Sequence, residues 1–99
     1  MRVFRLPEPG AEPFDIAAGA DGSMWFTEFA ADRIGRISPA GVITQFRVPT
    51  AGAAPYQITA GPQGAMWFTE YNTTKIGRVT ASGRVTETGS DAIVEINLR

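Results

Sequence analysis

Two carboxylates, Glu28 and Glu70, end identical pentads, Met-Trp-Phe-Thr-Glu at 24–28 and again at 66–70, 42 residues apart. Side chains repeated at such an interval fall at equivalent places in a repeated unit, so copies gathered around an axis would offer a hard cation several oxygens. A plainer chemistry is open to the same residues. Each Glu is followed by a basic side chain, Arg33 after Glu28 and Lys75 after Glu70, and a surface ion pair across a short hairpin would explain the repetition without any ligand. A second set differs between the units: Phe14 and Asp15 in one, Tyr56 and Gln57 in the other. Specificity is set where side chains vary on a repeated scaffold, and Phe14 with Tyr56 would make an aromatic platform for a sugar or another small apolar ligand. Arg36 and Arg78 recur in Ile-Gly-Arg triplets, which reads as bonding to strand ends or carbonyls rather than as an anion site. The chain has no cysteine and no histidine, which excludes disulfides, thiolate metal centres and an imidazole base.

The elements that must position these residues are short strands. Laid over itself at an offset of 42, PFDIAAGADGSMWFTEFAADRIGRISPAGVITQF falls on PYQITAGPQGAMWFTEYNTTKIGRVTASGRVTET without a slip, and FRLP at 4–7 falls on FRVP at 46–49. Turn signals divide each unit into four β-type runs; in the second these are 56–60, 65–71, 75–80 and 84–88, with turns at Gly61-Pro62-Gln63-Gly64 and Ala81-Ser82-Gly83. Nothing has helical period. Four short strands in about 40 residues make one β-propeller blade, so the expected fold is all-β with two four-stranded blades. Blades stack face on face, which explains why Met24, Phe26 and Glu28 on one side of a strand and Trp25 and Thr27 on the other all carry bulk. Trp25, Phe26, Trp67 and Phe68 are expected in the core, with Gly35 and Gly77 leaving room for a ring on the neighbouring strand. The domain reading is an outer strand and linker at 1–12, which completes a neighbouring blade, blades at 13–54 and 55–88, and a strand or tail at 89–99.

Two blades leave apolar faces and sheet edges open at both ends. Closure by homo-oligomerisation is therefore expected, with six blades from three chains favoured over four or eight, and the outer strand locking one chain to the next. Nine Lys and Arg against ten Asp and Glu give a net charge of −1 without runs of either sign. That excludes a charge-driven nucleic-acid or membrane partner and leaves copies of the chain and a small molecule. No apolar stretch approaches the roughly 20 residues of a membrane span and the first ten lack a signal-peptide middle, so a cytoplasmic location is expected.

The combination of Trp-Phe-Thr-Glu, Ile-Gly-Arg and Thr-x-x-Phe-x-x-Pro at fixed offsets resembles blades of the virginiamycin B lyase family of streptogramin-degrading enzymes, over nearly all of 1–88. Lyases of that family are single chains of seven blades, where this one carries two. The resemblance implies a lactone-opening elimination, in which a His removes a proton beside a carbonyl while Mg²⁺, held near Glu side chains, stabilises the developing charge. The family's His follows the Pro that opens the inner strand. Phe14 and Tyr56 stand there in this sequence, and neither is a base at neutral pH. The carboxylates that the resemblance assigns to metal and catalysis match Glu12, Glu28 and Glu70, with Ala54 at the second unit's counterpart of Glu12. Two functions follow: a non-catalytic oligomeric propeller that binds a ligand or cation at its channel mouth, or a lyase-like enzyme or a piece of one. The missing imidazole favours the first. No cofactor is expected from the residues themselves, and Mg²⁺ enters only through the resemblance.

Overall fold

Valine, isoleucine, threonine and aromatic residues come in runs bounded by Gly, Pro and Asp, and each run is a strand. The structure is a computed structural model that describes residues 5–7 and 10–89. Strands β1 (Pro13–Ala18), β2 (Met24–Glu28), β3 (Arg33–Ile37) and β4 (Ile43–Arg47) form one sheet, and β5 (Pro55–Ala60), β6 (Met66–Glu70), β7 (Ile76–Val79) and β8 (Val85–Thr88) form another. Both sheets are antiparallel meanders in chain order. The Gly61 to Gly64 turn contains a short 3-10 stretch, Pro62–Gly64. Among the described residues no helix is long and apolar enough to cross a membrane.

The same irregularity opens each sheet. The β1–β2 and β5–β6 registers shift between Pro13 and Ile16 and between Pro55 and Ile58. Glu12 and Ala54, just before those prolines, both take left-handed backbone, with φ of 54° and 56°. This swings the chain into the inner strand, and the carbonyls of Glu12 and Ala54 accept from the amides of Phe29 and Tyr71 at 3.1 and 2.9 Å. Gly35 and Gly77 are required by close approach: a Cβ at either would overlap the ring of Phe26 or Phe68, which lies flat across the neighbouring strand. The room goes to Phe in both blades.

The sheets pack face to face. Trp25 and Ile34 of the first blade meet Ile58, Met66, Phe68 and Val79 of the second, with Val48 and Ala53 of the connection completing one buried cluster. Two hydrogen bonds fix the stacking register. The Thr27 hydroxyl donates to the carbonyl of Tyr56 at 2.9 Å, and the amide of Ile58 donates to Asp15 Oδ2 at 2.9 Å. Asp32, unremarked in the sequence, clamps the connection by accepting from the amides of Gly52 at 2.6 Å and Ala54 at 3.0 Å. Of the expected outer strand at 1–12, residues 1–4, 8 and 9 lie outside the described residues, and 5–7 form no strand. The expected strand at 89–99 lies outside them except for Gly89.

Candidate functional site

Four aromatic rings converge at one end of the blade pair. Phe14 and Tyr56 begin the inner strands β1 and β5, and Phe29 and Tyr71 follow the last residues of β2 and β6. The carbonyl-to-amide ties from Glu12 and Ala54 bring each aromatic pair to the strand ends. Phe14 stacks on Tyr56 with centroids 4.3 Å apart, Tyr56 lies 5.4 Å from Tyr71, and Phe29 stands edge-on to both tyrosines at 6.2 and 5.7 Å. With Glu12 and Pro13 they line an open hollow of about 440 Å³. Phe14 and Tyr71 are exposed despite their size, which marks the cluster as a surface for a ligand rather than as core. Phe29 and Tyr71 were not singled out in the sequence, although an aromatic follows the pentad in both units.

Asp15 and Gln57, expected beside Phe14 and Tyr56 as ligand contacts, do not line this hollow. The Asp15 carboxylate is spent on backbone, accepting from Ile16 and, across the blades, from Ile58, each at 2.9 Å. Gln57 is exposed on the outer face of the second blade, and its amide donates to Thr69 Oγ1 at 3.1 Å.

The pentad carboxylates sit behind the mouth rather than on it. Glu28 is fully buried and both its oxygens accept from Gln45 Nε2 at 2.9 Å. Burial raises its pKa and the Gln45 hydrogen bond opposes the rise. Glu70 is also buried and accepts from the Thr73 hydroxyl at 2.8 Å. Glu87 occupies the place that Gln45 has in the first blade, opposite the glycine of the Ile-Gly-Arg triplet, Gly77 as against Gly35. Glu70 Oε2 and Glu87 Oε2 are both buried without a hydrogen-bond donor among the described residues. Burial first, then the Glu87 hydrogen bond and charge, push Glu70 up to about 7, against the pull of Thr73 and Lys75. Lys75 Nζ donates to Thr50 Oγ1 at 3.0 Å, and Thr50 donates to Glu87 Oε1 at 3.0 Å.

The expected surface position of these carboxylates is corrected: both are buried, and the Lys75 charge acts on Glu70 there. Arg33 stands directly opposite Glu28 in the register. Glu12, Glu28 and Glu70 do not form a cation site by themselves, since no three Asp, Glu, His or Cys side chains gather to hold a metal among the described residues. Arg36 and Arg78 lie over Trp25 and Trp67, with guanidinium to ring distances of 5.6 and 5.8 Å. Arg36 also bonds Asp21 in the β1–β2 turn at 2.6 Å. The backbone amide of Ser23, and then Arg36, hold Asp21 down at about 2.

The signature of the Virginiamycin B lyase family matches residues 1–91. A virginiamycin B lyase of Saccharopolyspora erythraea is 51% identical over 44 residues, 44% of this chain and 15% of that protein. A crystal structure of selenomethionine-substituted virginiamycin B lyase from Staphylococcus aureus superposes with a TM-score of 0.84 at 40% identity, covering 91% of this chain and 31% of that one. A catalytically inactive histidine-to-alanine variant of the Staphylococcus aureus enzyme with quinupristin gives 0.81 at 43% identity, covering 85% and 29%. The chain spans less than a third of the length of each of these proteins.

Proposed function

The chain belongs to the virginiamycin B lyase family, and from that premise we propose that its two blades serve as a section of a closed lyase-type propeller. In this reading they present the Phe14, Phe29, Tyr56 and Tyr71 mouth to a cyclic depsipeptide of the streptogramin B class, while the proton-abstracting base comes from elsewhere in the ring. The aromatic quartet is the observation that carries it, because four rings at the opening of the inner strands, Phe14 and Tyr71 exposed and Phe29 and Tyr56 half-buried, offer apolar faces together with two phenol hydroxyls. Elimination beside a carbonyl needs a base free near neutrality. With Phe14 and Tyr56 following the prolines and no histidine in the chain, these blades contribute binding and orientation. Mg²⁺, if the ring holds it, draws ligands from further blades.

A second reading, in which copies of the chain close a non-catalytic ring of six blades from three chains, is favoured by one observation. The outward faces of the pair carry the repeat counterparts of residues that its inward faces bury. The first reading is tested on the chain alone, with a type B streptogramin and Mg²⁺. Calorimetry is expected to detect binding that Tyr56→Ala weakens about tenfold or more, while chromatography finds the lactone intact. Binding indifferent to Tyr56 removes the mouth from the reading. Ring opening that disappears in Glu28→Gln makes these blades catalytic and overturns the assignment of the base elsewhere.

A further inference from the structure

The interface between the two blades is a template for a second one. Because the repeat is 42 residues without a slip, each residue on the buried faces has a counterpart on an outward face; Phe26 and Glu28 are buried there too, and several others are not. Thr27 and Ile34 are 0% exposed, whereas their counterparts Thr69 and Ile76 are exposed and half-buried. Trp25 is 2% exposed, and Trp67 is only half-buried. On the other side Ile58 is 6% and Met66 1% exposed, against 57% for Ile16 and 36% for Met24. Each open face carries a hollow, about 260 Å³ beside Ile16, Phe26 and Ile37 and about 370 Å³ beside Trp67, Thr69 and Ile76.

The polar groups are set for the same join. Thr69 Oγ1 accepts the amide of Gln57 at 3.1 Å, as Thr27 Oγ1 accepts that of Asp15 at 3.1 Å. In Thr27 that leaves the hydroxyl proton for the carbonyl of Tyr56 in the next blade. Thr69 accepts in the same way, and no carbonyl among the described residues takes its hydroxyl proton.

We propose that a second copy of this chain docks head to tail on this surface, laying the Ile16 and Met24 face of its first blade against the Trp67, Thr69 and Ile76 face of the second blade. The Thr69 hydroxyl then donates to the carbonyl of Phe14 in the copy, the repeat counterpart of Tyr56. Such an interface is heterologous: each docking leaves one of each face open, and copies add until a ring closes. The inference rests on the second reading above and is independent of any ligand at the mouth.

Native mass spectrometry and light scattering of the whole chain test it. The wild type is expected as an assembly of several chains, and Thr69→Arg and Ile16→Arg, each altering an exposed side chain, as folded monomers by circular dichroism. Mixed one to one, the two variants are expected to form a dimer and nothing larger, because each keeps the face that the other has lost. A folded wild-type monomer of 10.6 kDa, as expected if these faces are covered only by further blades of one longer polypeptide, overturns the proposal. So do single variants that keep the wild-type mass, and a mixture that stays monomeric. Should a variant fail to fold, dilution of the wild type decides: Trp67 emission is expected to shift to the red as its face is uncovered, and constant emission across a thousandfold dilution refutes the join.

Discussion

Glu70 and Glu28 occupy the same place in two blades and differ in what faces them. Gln45 gives Glu28 an amide donor, while Glu87 gives Glu70 a second carboxyl, and burial first and then Glu87 make the Glu70 proton hard to lose. A carboxyl whose folded pKa is about 7, above its ordinary 4.5, stabilises the protein fully below the ordinary value. That contribution is lost as pH rises through the folded one. Melting temperature is therefore expected to fall between about pH 5 and pH 7.5. Glu87→Gln reproduces the first blade's arrangement and should flatten the profile, raising stability at pH 8 by about 1 to 3 kcal/mol, the worth of a hydrogen bond to a charged group. A wild-type profile flat across this range, or a Glu87→Gln profile that still falls, would show that Glu87 does not raise the Glu70 carboxyl. The sequence displays Gln45 and Glu87 at equivalent positions, but not that either meets a buried Glu, because cross-strand neighbours depend on register.

At the scale of the strand, each blade is held by a phenylalanine lying across a glycine on the adjacent strand. Phe26 over Gly35 and Phe68 over Gly77 fill the space a Cβ would need. Neither glycine has left-handed backbone, so any cost of a methyl there comes from the displaced ring. Gly77→Ala is expected to destabilise by about 1 to 3 kcal/mol, as overpacking does, and Phe68→Leu in the same chain should recover part of it. Urea denaturation measures both. Additive losses would place the strain somewhere other than the ring. Here the sequence was nearly sufficient: the repeat and the strand pairing pointed to a ring over each glycine. It left Trp and Phe as alternatives, and the pleat decided, since Phe26 pairs directly with Gly35 while Trp25 pairs with Arg36 on the other face.

Across the whole molecule, the two tryptophans of the pentads separate. Trp25 is clamped between blades, whereas Trp67 stands on an open face, so the expectation that both lie in the core holds within one chain only for Trp25. Trp25→Ala is expected to cost about 3 to 5 kcal/mol at any protein concentration. The cost of Trp67→Ala should be smaller in dilute protein and grow with concentration, as linkage to assembly requires. Chemical denaturation at two concentrations checks this, and equal, concentration-independent losses would mean that nothing docks on the second blade. Asp15 shows the same change of meaning. Beside Phe14 in the sequence it looked like a ligand contact, and it acts as a staple between blades.

What the sequence determined by itself is everything that repeats: a period of 42, four strands to a unit, their turns, and the glycines that admit a ring. Strand period and turn chemistry are local, and local rules suffice to fix them. It also determined that no imidazole is present, a matter of composition. Tertiary structure alone decided what the repeat cannot distinguish. The Trp and Thr of one pentad are interior and those of the other open because the interface between the two described blades covers the first pair and not the second. The pentad carboxylates are buried rather than at a rim, each held by a side chain from elsewhere in its own blade, Gln45 for Glu28 and Thr73 for Glu70. Phe29 and Tyr71 joined Phe14 and Tyr56 because backbone ties from Glu12 and Ala54 draw two strand ends together. Apart from the Thr73 bond, each of these is a contact between residues far apart in the chain, and no local pattern encodes which of two equivalent surfaces a neighbour will cover.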